Sequence, residues 1–321
     1  VTIMEEGTEL IERIQKGGTL PMMTSCCPGW INFVEKLNPE VIPNLSTTRS
    51  PQAIFGALAK TYFAKKKGVD PKSLRFISVM PCTAKKDEAL REQLRQNGRP
   101  DTDLVLTVRE FARLLKMNGL NLANLPESEF DSPVLSENTG AAVIFGATGG
   151  VMEAAVRTVH FVLTGRELGP IELTAVRGMD WIREASLELG AAGTVRIAVV
   201  HGLANAKKLV EQIKAGTCPY HFIEVMACPG GCIDGGGTAR VKGEYLTRAA
   251  KRLEGIYGLD KERKMRQSHA NPDVKHLYEE FLGQPNSELS HKLLHTAYRD
   301  RRSCEATVNI EQLRAKVRLD D

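Results

Sequence analysis

Five of the chain's seven cysteines fall in three short loops: Cys26 and Cys27 in TSCCPGW, Cys82 in MPCTAKKDEA, and Cys228 and Cys232 in ACPGGCIDGGG. Deprotonated cysteines are the ligands of iron-sulfur clusters, which usually take four thiolates from loops that bring each sulfur to one iron. Adjacent and i+4 cysteines beside proline and glycine serve packing poorly. An isolated cysteine such as Cys218 or Cys304 reads instead as a small buried hydrophobe. Zinc is the competing metal, but C-x-x-C pairs are absent and no histidine stands at ligand spacing. Seven cysteines are too few and too clustered for a disulfide scaffold, so the thiols are expected to be reduced or metal-bound.

Something must carry these loops to one place. The run LRFISVM, Leu74 to Met80, is short, apolar and β-branched, as a buried strand is, and it ends directly in the loop of Cys82. HFIEVMA at 221 leads likewise into Cys228 and Cys232. Open α/β sheets place their ligand crevices at such strand ends, so these cysteines are expected to converge there. Further strands are expected at DLVLT (103), IELTAV (171) and TVRIAVV (194), with helices near 108, 151, 203 and 246. Strands alternating with helices indicate an α/β fold with largely parallel sheets. Helical spacing of Ile3, Leu10, Ile11 and Ile14 predicts an amphipathic helix from almost the first residue, with Thr2 its one capping candidate. Another helix begins at about Trp30, and a third covers QAIFGALAKTYFAKK. Gly230, Gly231 and Gly235 to Gly237 remove side chains where backbone must approach a bulky group. The segment ENTGAAVIFGATGG fits neither GxGxxG nor GxxxxGK[ST], so close backbone packing explains its glycines better than a phosphate loop.

The chain has 321 residues, 42% of them apolar, enough for one large domain or two lobes with a full core. Its 43 basic and 39 acidic residues are too evenly balanced to imply nucleic-acid binding. No run reaches the ~18 consecutive apolar residues of a membrane span, and no signal sequence opens the chain, so a cytoplasmic location is expected. Residues from about Lys264 read as polar helices, and 299–321 as an appended tail.

Taken together, TSCCPGW at 24–30, MPCTAKKDEA at 80–89 and EVMACPGGCIDGGG at 224–237 resemble, in order, the three signature loops of the FeFe (iron-only) hydrogenases. The resemblance spans residues 1 to about 298 and implies the family's catalytic domain: two lobes of largely parallel sheet flanked by helices, with the metal cluster in the cleft between them. It implies a four-iron four-sulfur cubane on Cys27, Cys82, Cys228 and Cys232. Cys232 would also bridge to a two-iron subsite carrying carbon monoxide, cyanide and a bridging dithiolate amine. Cys26 would be free of metal and would offer the last proton; a thiol of pKa about 8.5 exchanges protons near neutrality after modest adjustment. Lys85 matches the lysine that meets a cyanide, with Glu88 as its expected structural partner, while Met80 and Met226 match the apolar wall of the subsite. Ser50 and Gln52 match positions just behind the diatomic ligands.

The resemblance also implies a proton path from Cys26 through Glu6, Ser46 and Glu9 to Arg13. Glu6, Glu9 and Arg13 stand at i, i+3 and i+7, one helical face, although Glu9 and Arg13 would equally make a solvated ion pair. Two departures accompany the match. The family's domain normally begins before the equivalent of residue 1, which reads this chain as N-terminally incomplete, and no ferredoxin-like domains are present. Electrons are therefore expected from a ferredoxin or an electron-transfer subunit, and maturation proteins are expected to insert the two-iron subsite. Two other classes resemble the fold: a non-catalytic iron-sulfur assembly protein, against which Cys26 argues, and a hydrogen sensor, against which Glu6 and Glu9 argue.

Overall fold

The computed structural model describes residues 1–131, 134–169, 173–190, 193–240 and 245–302. Its first element is the expected amphipathic helix α1 (Thr2–Lys16), closed by Gly17 in the left-handed region. Val1 rather than Thr2 occupies the N-cap, and no side chain caps the helix there. A two-residue strand, β1 (Met22–Met23), enters the first cysteine loop, which runs into α2 (Pro28–Leu37). Pro28 sits in the first turn, where a missing N–H leaves nothing unpaired. Next, α3 (Pro51–Leu58) continues through a π turn at Ala59–Phe63 into α4 (Ala64–Lys67), the long helix expected here.

The second region holds β2 (Ile77–Met80), α5 (Ala84–Ala89), a small hairpin of β3 (Arg95–Gln96) and β4 (Arg99–Pro100), β5 (Leu104–Thr107) and α6 (Val108–Met117). β2 and β5 pair in parallel with Met80 opposite Thr107. Among the described residues this sheet has two strands, so Ile77 and Val79 are exposed while Ser78 is buried. The expected buried strand is thus shorter and half-exposed, because only one of its faces meets a core.

The larger sheet is built after α7 (Gly140–Ile144) and α8 (Gly150–Thr164), from β6 (Ile182–Glu188), β7 (Thr194–His201), and, beyond α9 (Leu203–Lys214), β8 (Phe222–Met226). Its order is β1-β8-β7-β6, with β1, β8 and β7 parallel and β6 antiparallel at the edge. The strand expected at 171 is corrected: residues 171–172 lie outside the described residues, and Thr174–Val176 form a 3₁₀ turn. β6 takes the sheet position instead, with the alternating burial of an edge strand that wets one face. Central β7 is buried on both faces. Val195, Ile197 and Val199 face a core shared with α1 and α8, while Ala198 and Val200 face one shared with α2 and α9.

The C-terminal helices α10 (Tyr245–Glu262), α11 (Pro272–Leu277) and α12 (Glu288–Leu294) clasp this body. Leu277, Leu282 and Leu294 pack on Ile54 and Leu58 of α3. Arg248 and Arg252 of α10 grip Asp234 at 3.0 and 2.9 Å. Glu5 of α1 takes the Tyr278 hydroxyl, the Asn286 N–H at 2.8 Å and His295 Nε2 at 3.0 Å. At the start of the segment read as a tail, the Arg299 N–H and Arg301 Nη1 reach the buried Glu35 at 3.3 and 3.2 Å. Residues 303–321, Cys304 included, lie outside the described residues.

Arg157 of α8, only 1% exposed, meets Glu153 at 2.6 Å and Asp260 of α10 at 2.9 Å, both fully buried. Arg157→Met leaves two buried carboxylates short of a cation. Arg177 and Arg266 still reach them, so the expected loss is about 3 kcal/mol, the lower end of the usual 3–5 for breaking a buried pair. Chemical denaturation checks this.

Candidate metal centre

All three cysteine loops leave the C-terminal ends of parallel strands: Cys26 and Cys27 follow β1, Cys82 follows β2, and Cys228 and Cys232 follow β8. The loops lock to one another through backbone. The Ala227 N–H donates to Cys27 Sγ at 3.5 Å, tying the first loop to the third. The Gly237 N–H donates to the Pro81 carbonyl at 2.9 Å, tying the third to the second. A Cβ on Gly235 would lie 2.3 Å from that same Pro81 oxygen. Gly231 has φ +94°, and a Cβ there would come within 2.9 Å of Thr148 N, Met226 Sδ and Gly146 O. These glycines therefore admit neighbouring protein as well as anything the loops enclose.

The five cysteines line one cavity of about 640 Å³ between the ends of the two sheets. Burial pushes the Cys228 thiol up to about 11, and the charges of Cys27 and Cys82 push the same way. Cys232 is raised further by burial and then by Cys27, Cys82 and Cys228, and Cys27 is raised by burial despite N–H donors from Ala227 and Trp30. Thiols that oppose one another's ionisation are close together, and a bound cation reverses that penalty by taking the thiolate as ligand. Among the described residues no three His, Cys, Asp or Glu side chains close on a single ion position. The four thiols line a space instead, and an all-sulfur donor set around a roomy cavity fits an iron-sulfur cluster.

Cys26 shares the cavity. Burial raises its thiol well above the ordinary range, Glu6 adds to this, and Lys85 opposes it, so the adjustment is larger than the modest one expected. Lys85 donates to the Cys26 carbonyl at 3.0 Å and pairs with Glu88 at 2.9 Å. Burial works against its charge, yet Glu88 outweighs burial and the ammonium is held above its usual range. Gln52, Met80 and Met226 line the cavity. Ser50 does not; it caps α3 and donates to Glu88 at 2.9 Å, where Gln52 Nε2 also reaches at 3.1 Å.

Three of the predicted relay residues, Glu6, Glu9 and Arg13, lie on α1, and Ser46 meets Glu9 from a separate segment. Glu6, Glu9 and Ser46 are buried, and Arg13 pairs with Glu9 at 2.7 Å. Arg13 is not a loose surface cation, since the carbonyls of Thr19, Pro43 and Leu45 also hold its guanidinium. Ser46 Oγ donates to Glu9 Oε2 at 2.8 Å and also meets Glu6. One hydroxyl proton serves one carboxylate, so the other carries its own. Glu6 is suited to that, because burial and then the Glu9 charge push it up to about 8, and its Oε2 is buried without a protein partner.

Two further residues under the third loop went unread. Glu224, fully buried in β8, accepts the N–H groups of Gly149 and Met152 at 2.6 and 2.7 Å, and burial raises it to about 7. His201, fully buried at the end of β7, accepts the Gly230 N–H at 3.0 Å. A charged or titratable side chain inside an apolar strand was the available signal. Close packing does explain the glycine-rich segment: a Cβ on Gly150 would fall 1.7 Å from the Ile144 carbonyl.

Residues 1–236 match the family model described as iron-only hydrogenase large subunit, C-terminal domain, and residues 246–301 match one described as iron hydrogenase small subunit. The chain is 48% identical over 304 residues to the NADP-reducing hydrogenase subunit HndD of Solidesulfovibrio fructosivorans, covering 93% of this chain and 51% of that protein. Iron hydrogenase 1 of Clostridium pasteurianum is 42% identical over 302 residues, 93% of this chain and 52% of its own length. The chain thus spans about half the length of these curated relatives. Apo FeFe-hydrogenase HydA1 from Chlamydomonas reinhardtii superposes with a TM-score of 0.81 at 40% identity, covering 93% of this chain and 82% of that one. A cytosolic Fe-S cluster assembly factor, narfl of Xenopus tropicalis, is 32% identical over 308 residues, 92% of this chain and 63% of that protein. Among the described residues no helix is long and apolar enough to cross a membrane.

Gly231→Ala strains a left-handed residue and drives a methyl into Thr148 and Gly146. The substituted chain should fold yet take up less iron and sulfide on reconstitution, read by metal analysis. Because Glu6 is raised from 4.5 to about 8, its contribution to stability is complete below about pH 4.5 and is lost as pH rises through about 8. Glu224 acts with the same sign up to about 7. Urea unfolding should therefore depend less steeply on pH between about 5 and 8 in Glu6→Gln than in the unsubstituted chain.

Proposed function

The chain belongs to the iron-only hydrogenase family, and from that premise we propose that it is the core of an enzyme that reversibly reduces protons to dihydrogen. The observation that carries this reading is the cavity, lined by four thiols on interlocked loops with a fifth cysteine beside them, together with the buried carboxyl of Glu6, whose charge acts on that fifth thiol. Cys27, Cys82, Cys228 and Cys232 would hold the four-iron cubane, with Cys232 shared with a two-iron subsite bearing carbon monoxide, cyanide and a bridging dithiolate amine. When bound, that group supplies electrons and an open iron position for the interconversion of protons and dihydrogen.

The protein's own part is proton handling, orientation and exclusion of water. Cys26 holds a proton at Sγ, which burial keeps there at neutral pH. Glu6 receives and returns protons behind it, Ser46 passes them by exchanging which carboxylate its hydroxyl serves, and Glu9 with Arg13 closes the outer end. Lys85, its charge kept by Glu88, sets a cation at the cavity wall where an anionic cyanide would bind. Met80 and Met226 present polarizable apolar surface, and Gln52 is fixed by Ser78 and Glu88 to back the same wall. Electrons would come from a ferredoxin or an electron-transfer subunit, the two-iron subsite from maturation proteins, and the setting would be cytoplasmic.

The similarity to narfl favours a second reading, a non-catalytic iron-sulfur assembly role. Infrared spectra of anaerobically matured protein separate the two, since carbon monoxide and cyanide stretches report the two-iron subsite directly. Cys26→Ala should keep the cubane while hydrogen turnover falls about 10²–10⁴-fold, the scale of a lost general acid. Unchanged turnover, or a lost cubane, would reject the assignment of Cys26.

A further inference from the structure

His201 ends β7, directly opposite Met226 of β8, so its side chain lies beneath the loop that β8 sends to Cys228 and Cys232. It is fully buried, and both ring nitrogens are engaged. Nδ1 faces the Gly230 N–H at 3.0 Å, and an N–H can only donate, so Nδ1 accepts and the ring proton sits on Nε2. Nε2–H then points at the carbonyls of Met179 and Asp180, 3.2 and 3.1 Å away. Trp181 lies against the ring, centroids 4.8 Å apart. The same glycine is held from its other side, its carbonyl accepting the Thr148 N–H at 3.1 Å. Gly230 and Gly231 both have positive φ, so this stretch has no regular secondary structure of its own to hold it.

We infer that His201, as the neutral Nε2–H tautomer, is a positioning residue that fixes the backbone between Cys228 and Cys232. The inference rests on the reading of those two cysteines as cubane ligands. With the acceptor in place the Gly230 amide is committed away from the cavity. Without it, a buried N–H is left unpaired and free to turn toward a cluster sulfur, which alters both grip and reduction potential. Residues that act on metal ligands from behind typically govern about 10–100-fold in metal affinity. Burial, and then the nearby Arg183 charge, keep the ring below its usual pKa, in the form the bond requires.

The experiment uses protein reconstituted with the cubane alone. His201→Phe keeps a ring against Trp181 but removes the acceptor, and His201→Asn, whose Oδ1 stands at the Nδ1 position, restores one. Cluster loss to a competing iron chelator should be about 10–100-fold faster in His201→Phe, with the paramagnetic spectrum and midpoint potential of the reduced cubane displaced, and His201→Asn should recover toward the unsubstituted protein. A His201→Phe protein that keeps the unsubstituted chelation rate, spectrum and potential overturns the inference. Hydrogen exchange in the unsubstituted apoprotein gives a test that needs no variant. The Gly230 amide should be protected like those of β8, and exchange as fast as an open loop amide also overturns the inference. If the unsubstituted chain takes up no cubane, the cluster reading fails, while amide exchange still decides whether His201 holds the loop.

Discussion

Burial and neighbouring thiols strengthen the hold of Cys27, Cys228 and Cys232 on their protons, so these groups do not gather of their own accord, and three interlocked backbone loops hold them together with Cys82. Each loop starts where a parallel strand stops, so the sheets fix three anchor points before any sulfur is placed. Gly237 bonds to Pro81, Ala227 bonds to Cys27, and Gly235 lies against Pro81 too closely for a side chain. The penalty of collecting these groups is met by strand pairing and loop contacts elsewhere in the fold, which leaves the sulfurs ready for a cation. The same logic explains the buried charge beneath the third loop. Glu224 holds the start of α8, Arg183 bonds Thr148, and Thr148 bonds Gly230, so polar contacts run continuously under the cysteines.

Helix α1 shows how one element serves two purposes through neighbouring residues. Glu5 and Glu6 are adjacent and both buried, yet they are driven in opposite directions. Burial raises both; for Glu5, donors from His295, Tyr278 and Asn286 outweigh it and hold the carboxyl below its usual value. Glu6 lacks such a set and has one oxygen without a protein partner, so burial and the Glu9 charge win and it stays protonated to about pH 8. Two carboxyl groups with divergent affinities on one turn give the helix a firm anchor and a buried acid that keeps its proton near neutrality.

Much of this was legible in the residues. The i, i+3, i+7 face of Glu6, Glu9 and Arg13 follows from helical geometry, and the strands at 103, 194 and 221 from their β-branched runs. The cysteine loops announce themselves by spacing. What stayed hidden has physical causes. β1 is two residues long, too short for a periodic signal, and is a strand only because β8 lies beside it. β6 alternates polar and apolar residues at a sheet edge, and a short 3₁₀ turn displaced the strand expected before it. Ser50 matched a position behind the diatomic ligands in sequence, while the contacts its hydroxyl makes there, donating to Glu88 and accepting the Ala53 N–H of α3, come only from the fold. For His201 and Glu224 the sequence offers only a titratable side chain inside an apolar strand; the backbone amides they accept from, Gly230, Gly149 and Met152, belong to other segments that no linear pattern names.

The C-terminal clasp has a consequence for assembly. Regions that match family models described as large and small subunit lie in one polypeptide, with only residues 237–245 between the matched spans. The contacts joining them, Arg248 and Arg252 on Asp234 and the Tyr278–His295 pair on Glu5, are of the kind that would otherwise form an interface between two molecules. A covalent tether replaces a bimolecular encounter by a local one at high effective concentration. Closure of this C-terminal segment over the third cysteine loop and α1 is accordingly independent of dilution, and the stoichiometry of the two matched regions is fixed at synthesis.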